Sequence, residues 1–431
     1  MKHKHFLCLG MALCAGFGGT ALAGEAACDT ILIPERAVAI HGDLRALGKD
    51  ILAVFYSREN LSFQDPDAPR FLLIDRQGKV ALGIGGSVYA TASYDFGGAI
   101  GSSGFTTYDI NVPNNPGANQ RLGADLSHSS LFLKLIGKSS VFGTYEVYVQ
   151  SNFTGNEGGY GFKLKQAYAR LGNFMAGLTN STFVDPATEA PTIDSEGPTG
   201  QITSKNILFR YTTPRRQGWQ GAISVEMPSA SYTTGDHAEA TAQRVPTIPA
   251  YVQYGWGASN HVRLSAIFRD LAYRDLVTGK NHLQPAWGVH LSAISGIDPA
   301  GVVRVFGHVA YGTGIAKYVN GMSGNGWDLV ESKDTAGELT APRMMAFTAG
   351  AYFNITSRLM ATASYSRAQT YGCDYLGGET YRYGQYAVVN AFYNVDSNLK
   401  VGAEYIRGWR TDYSGESGHA NRANLLVQYS F

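Results

Sequence analysis

Charge is scarce in this sequence: Lys, Arg, Asp and Glu together make up 16% of 431 residues, and the formal net charge is only +1. A chain so near neutrality has no whole-molecule attraction for nucleic acid or anionic surfaces, so any charge preference must come from local arrangement. Cysteine is scarcer still. Of the four, Cys8 and Cys14 fall within the first 23 residues, which leaves Cys28 and Cys373. Two are too few for a disulfide framework, and their spacing suits no metal; whether they pair stays open. Beyond the N-terminus no stretch approaches the roughly 20 consecutive apolar residues that a spanning helix needs. Catalytic motifs are also missing. There is no H-E-x-x-H, no paired carboxylate beside His290 and His308, and no G-x-S-x-G. Gly83-Ile84-Gly85-Gly86 superficially matches a nucleotide-binding glycine run, but it lies within a strand pattern with no helix N-terminus to meet a phosphate. Neither a metal nor a cofactor is expected, and the chain is read as a non-enzyme.

What is present begins with an export signal. Lys2 and Lys4 precede an apolar run from Phe6 to Phe17, and Ala21-Leu22-Ala23 stands before Gly24, which marks residues 1–23 as a cleaved signal peptide. A lipid anchor on Cys28 is disfavoured, because Glu25 stands where such a signal wants an apolar residue. An exported chain without a spanning helix crosses a membrane only as a closed sheet, since an open edge would leave N–H and C=O groups unpaired in hydrocarbon.

The rest of the chain supplies such a sheet. Tyr 26, Phe 20 and Gly 52 are all high, as alternating strands with aromatic belts require. From Lys79 the period is two: Val80, Leu82, Ile84, Val88, Ala90, Ala92, Tyr94 and Phe96 share one face, and Ser87, Tyr89, Thr91, Ser93 and Asp95 the other. The same alternation recurs at 128–136, 141–150, 162–171, 174–183, 205–213, 219–227, 248–256, 261–272, 284–294, 302–312, 343–354, 358–368, 381–395, 399–410 and 422–431. The fold class is therefore all-β, a transmembrane antiparallel barrel of about 16 strands over residues 79–431. Short turns such as Gly172-Asn173 and Thr356-Ser357 alternate with long connections at 97–124, 184–203, 228–246, 318–341 and 411–421, as they must when short turns face the periplasm and long loops face outward. The last strand sets Leu425, Val427, Tyr429 and the terminal Phe431 on its lipid side, resembling the signal read by the barrel assembly machinery. Residues 24–78 form an N-terminal periplasmic segment. There Leu44, Leu47, Ile51, Val54 and Phe55 recur at helical spacing after Asp43, a short amphipathic helix that either packs on the end of its own barrel or joins subunits.

Arg70-Phe71-Leu72-Leu73-Ile74-Asp75 to Gly78, followed by Val80 to Gly86, resembles the start of the barrel in DcaP-like trimeric outer-membrane porins. Gly177 to Asp185 and Thr192-Ile193-Asp194 to Gly197-Pro198 resemble the same family, so the likeness covers the barrel from about residue 70 to the end. It implies a sixteen-stranded homotrimer of the Gram-negative outer membrane that passes small, often anionic solutes such as dicarboxylates. The family's periplasmic coiled coil is shortened here.

In such a barrel the chemistry lies in the lumen and in any loop that folds into it. Strand parity places Lys134, Lys163, Lys165, Arg210, Arg263, Arg269, Arg304, Arg358, Arg382, Lys400 and Arg410 inside, against Asp95, Glu146, Glu226, Glu404 and Asp412. That basic excess, focused by low-dielectric walls, would concentrate anions; pairing with neighbouring carboxylates would cancel it. The long connection from Val184 to Ser204 follows the fifth strand and carries Asp185, Glu189, Asp194 and Glu196, stiffened by Pro186, Pro191 and Pro198. Folded inward as a constriction loop, it would set carboxylates against the basic wall. Parity also puts Arg170, Asp270, Arg367 and Arg407 on the outer face, where hydrocarbon tolerates charge only near its rims, in a subunit contact, or beyond a bulge that flips the register.

Besides small polar or anionic solutes, the expected partners are outer-membrane lipids and no nucleic acid. Two competing readings remain: an outer-membrane hydrolase of phospholipase type, with His128 or His261 activating a Ser at the lipid face, and an adhesive or scaffold barrel plugged by its own N-terminal segment. Active iron-complex uptake is disfavoured, because such receptors combine a large plug with a 22-stranded barrel.

Overall fold

The computed structural model describes residues 71–75 and 79–431 apart from 142, 157, 158, 258, 299 and 300. Before them it describes the backbone of Val38–His41 and residues 51, 54, 55, 57, 61, 63–65 and 69. The expected signal peptide, Cys28, Leu44 and Leu47 lie outside the described residues.

Sixteen antiparallel strands close into a barrel: β1 (Val80–Phe96), β2 (Ser130–Ser139), β3 (Gly143–Asn152), β4 (Lys163–Leu171), β5 (Phe174–Asn180), β6 (Lys205–Thr212), β7 (Trp219–Glu226), β8 (Ile248–Trp256), β9 (Asn260–Asp275), β10 (Asn281–Gly296), β11 (Val303–Thr313), β12 (Arg343–Asn354), β13 (Leu359–Tyr371), β14 (Tyr381–Asn394), β15 (Leu399–Asp412) and β16 (Ser417–Ser430). Each pairs with its neighbour in sequence, and β16 returns to β1 in a ladder from Asn421↔Phe96 to Ser430↔Ser87. The terminal Phe431 completes the seam by exchanging two 2.9 Å hydrogen bonds with Gly86. Closure leaves no free edge, the condition for a sheet in lipid.

The two-residue rhythm becomes two surfaces. On β9, Val262, Leu264 and Phe268 face outward while Ser265 and Arg269 are buried within. The expected segments fall on these strands, with one difference at the C-terminal hairpin. There β16 starts at Ser417, so the connection expected at 411–421 shrinks to 413–416. Trp409↔His419 and Arg410↔Gly418 carry the ladder to the rim of the apolar band, where the exposed His419 and Ser417 break the hydrophobic alternation.

Bulges correct the parity in two places. Between β3 and β4 the register shifts after Gln150↔Gln166, so Gln166 and Tyr168 are buried inside. Arg170, expected outside, therefore points inward and meets Glu146 at 3.3 Å. The second bulge lies between Tyr381 and Tyr383 of β14, and it turns Arg382, expected inside, to the exposed surface.

At the end opposite the long loops, Phe71–Ile74 pairs with Ile84 to Ala81 of β1. Ile51 and Phe55 pack there with Leu72, Ile74, Ala81 and Ile136.

Candidate functional site

The loop from Ser181 to Ser204 does not leave the barrel; it runs around the inside of the wall. At its root Arg210 of β6 donates to Thr182 Oγ1 at 2.7 Å and to the Asn180 carbonyl, while Thr182 N–H donates to Glu226 of β7. Next, the Asp185 carboxylate accepts from Ser292 of β10 at 2.6 Å and lies 2.8 Å from His261 Nε2 and 3.6 Å from Arg263, both on β9. His290 Nδ1 donates to the Phe183 carbonyl at 2.9 Å. His308 of β11 contacts Thr188 on one side and Ile202 on the other. Farther along, Tyr352 of β12 donates to the Glu189 carbonyl and Asn390 of β14 to that of Pro191. Glu404 of β15 then accepts the N–H groups of Ile193 at 2.7 Å and Asp194 at 2.8 Å. Tyr89 of β1 donates to the Ile193 carbonyl. These wall residues point inward at their strands' parity; His261 and Ser292 hold the Asp185 side chain, and most of the others supply partners to loop backbone that would otherwise be orphaned.

Two other outer loops close over this one. Phe105 N–H donates to the Asp194 carboxylate at 2.8 Å. Ile315, Tyr318, Val319 and Met322, all fully buried, pack on Phe183, Val184 and Ile202. The described N-terminal residues occupy the opposite side of the interior. Leu61 packs on Phe132, Tyr148, Tyr168 and Met175, Asp65 accepts from Gln150 and Gln166, and Gln64 reaches the Asp194 carbonyl at 2.7 Å.

Cavities lie beside the inner loop. One, of ≈ 170 Å³, is lined by Arg170, Arg210, Arg263, Asn180, Gln220 and Tyr251. Another, of ≈ 80 Å³, lies toward β1 among Tyr89, Arg121, His128, Asp194 and Ser195.

The structure thus sorts the expected basic residues. Arg210 and Arg263 border the larger cavity. Arg269 is completely buried against Asp328 at 2.5 Å, so it lines no water. Lys134 is tied to Glu146 at 3.6 Å and to the Phe55 carbonyl, Arg410 to Asp412 at 2.8 Å, and Arg304 to the Ser259 carbonyl at 2.9 Å. Arg358 sits exposed in the turn after β12. Much of the inner basic excess is therefore balanced locally.

The loop carboxylates divide as well. Asp185 faces the cationic side of the wall, where Arg263 and His261 outweigh the effect of burial and hold it far below the usual carboxylate range. Asp194 faces Tyr386 and Glu404 instead, and burial raises it. Glu196 keeps contact with water inside the barrel, yet the surrounding protein, followed by Asp194 and Asp109, pushes it up to about 7. Three anchors were under-read in the sequence: His261, His290 and His308. Their regular inward parity on β9 to β11 was the available signal, since three imidazoles facing one lumen need partners. His261 and His128 both face the interior, away from the lipid surface that a Ser–His hydrolase would need.

A closed sixteen-stranded barrel, apolar outside and narrowed by a loop folded in after its fifth strand, has the fold of the outer-membrane porins. A family model described as DcaP outer membrane protein matches residues 73–217. That span is about a third of the chain, and over it the chain is similar to this family. The outer membrane channel DcaP of Acinetobacter baumannii superposes with a TM-score of 0.71 at 18% identity, over 83% of this chain and 99% of that one. An anion-selective porin from Comamonas acidovorans gives 0.53 at 11% identity, over 82% and 100%. Outer-membrane expressed OmpT of Vibrio cholerae gives 0.51 at 10% identity, over 83% and 100%. No curated protein matches the chain by sequence.

Proposed function

We propose that the protein is a passive, non-enzymatic diffusion channel that favours small anions such as dicarboxylates and works as a homotrimer inserted through its C-terminal strand by the barrel assembly machinery. The observation carrying this reading is the cavity bordered by Arg170, Arg210 and Arg263 beside the root of the inner loop. Guanidinium groups around a narrow water-filled passage attract carboxylates bidentately and repel cations. The anion-selective porin among the structural neighbours is in keeping with it. Planar-bilayer recording in asymmetric KCl tests it: the reversal potential takes the sign of chloride permeation, and the opposite sign removes the anion claim.

A second reading, that the N-terminal segment plugs the barrel, is favoured by Leu61, Gln64 and Asp65, which sit inside it. Deleting residues 24–69 distinguishes the two. Conductance that appears only after deletion makes the segment a plug; unchanged conductance leaves an open pore.

A further inference from the structure

The outer surface of a barrel in hydrocarbon is normally free of charge, since an outward arginine is costly at the bilayer midplane and tolerated only toward the interfaces. On four adjacent strands this protein nevertheless turns arginines outward. Parity is set by the inward residues beside them. Met344, Ser366 and Ile406 are buried within, and so Arg343 of β12, Arg367 of β13 and Arg407 of β15 face out. Arg382 joins them through the bulge in β14. The guanidinium of Arg367 stands 3.9 Å from the centre of the Tyr383 ring, and that of Arg382 stands 5.9 Å from the same ring. Arg407 lies 5.1 Å from the Trp409 ring.

Two like charges thus share one aromatic ring, with a third nearby. Arg367 pairs with Gln385, and Gln385 with Trp409, two residues from Arg407. Two strand spacings make that separation about 10 Å across the sheet, within reach of two long side chains converging on one ligand. No carboxylate neutralises them: among the described residues the ion pairs involve other arginines. The Nε of Arg367 is buried with no hydrogen-bond partner.

Height along the barrel identifies the neighbour. Arg367 is eight residues from Leu359, where β13 begins at the periplasmic turn. At about 3.3 Å per residue and a tilt near 40°, that is roughly 20 Å of rise, the top of an apolar band about 25 Å tall. Tyr383 and Trp409 stand near this level on strands β14 and β15, with Tyr365 and Tyr405 below them, as the aromatics of an outer girdle do. At that level the outer leaflet of a Gram-negative cell presents phosphorylated glycolipid.

We propose that Arg367, Arg382 and Arg407, with Arg343 at the margin, form a site for the phosphates of lipid A in the surrounding lipopolysaccharide. Arginine forks bind phosphate bidentately with charge-assisted hydrogen bonds, and Tyr383 and Trp409 seat the sugar–acyl boundary.

Thermal-shift titration of the purified full-length protein in detergent, with three additives, tests the site. Bisphosphorylated lipid A should raise the melting temperature, while dephosphorylated lipid A should do little and phosphatidylglycerol less than the first. The R367Q/R407Q double variant should weaken lipid A binding roughly ten-fold or more, the loss of one or two such bonds, while single-channel conductance stays unchanged because both side chains point away from the lumen. R367K/R407K should retain most of the binding. An equal response to all three lipids, or undiminished binding by the double variant, overturns the proposal. So does dissociation of an oligomer by the double variant with lipid A binding intact, since the patch would then be a subunit contact.

Discussion

The carboxylate of Asp185 lies 2.8 Å from Nε2 of His261, and this contact fastens the root of the inner loop to the far wall of the barrel. Ser292 and Arg263 share the same carboxylate. Replacing Asp185 with Asn leaves the partly buried guanidinium of Arg263 without its counter-charge, a loss below the roughly 3–5 kcal/mol of a fully buried pair. The expected results are a lower unfolding temperature and larger, noisier single-channel steps. A variant with wild-type conductance and stability would show that the loop is held elsewhere. Because the folded carboxyl is held well below its unfolded value, its stabilisation is present above about pH 4 and is lost only as pH falls toward that depressed value. The fastening should therefore survive mild acid.

Glu196 behaves in the opposite sense. Its folded value of about 7 lies above the ordinary glutamate value of 4.5, so the folded chain binds more protons between those limits and stability falls as pH rises through that window. Ionisation at the loop tip repels Asp194 and Asp109. Channel opening or current noise should increase from pH 5 to pH 8, and Glu196→Gln should flatten that step; a step that persists in the variant assigns it to another group.

Selectivity should depend on the cavity arginines. Changing Arg170 and Arg263 together to Gln removes two of the three guanidinium groups that border it. The anion-to-cation permeability ratio is expected to fall by roughly several-fold, through loss of local potential. Changing the exposed Arg358 to Gln should leave the reversal potential as it is. Equal effects of the two changes would place the filter outside this cavity.

At Gly200 the inner loop lies close against the wall. A Cβ there would stand 2.3 Å from the Phe347 carbonyl and 2.5 Å from that of Arg367. Gly200→Val therefore pushes the loop off β12 and β13, at a cost of about 1–3 kcal/mol for overpacking. Heat-induced unfolding followed by electrophoretic mobility should shift to lower temperature, and an unchanged transition would show that the loop seats with room to spare.

The barrel itself was legible along the chain because burial on one face forces a period of two, and lipid forces closure. Leu425, Val427 and Tyr429 point outward as their spacing implies, and the loop after the fifth strand carries the expected Asp185 into contact with Arg263. Arg170 and Arg382 were misplaced for one reason: a bulge adds a single residue, and every parity beyond it inverts. No local pattern announces where that residue is inserted.

Strand count, alternation and the inward side of most residues were decided by sequence alone, since each depends on neighbours a few positions apart. Tertiary structure decided which charges are free. Arg269 and Arg263 have the same parity on the same strand, yet one is sealed against Asp328 and the other borders a cavity. That difference comes from loops arriving from 59 residues away in the first case and from the chain between β5 and β6 in the second. The path of a loop across a lumen is set by long-range hydrogen bonds, which no short window of sequence contains.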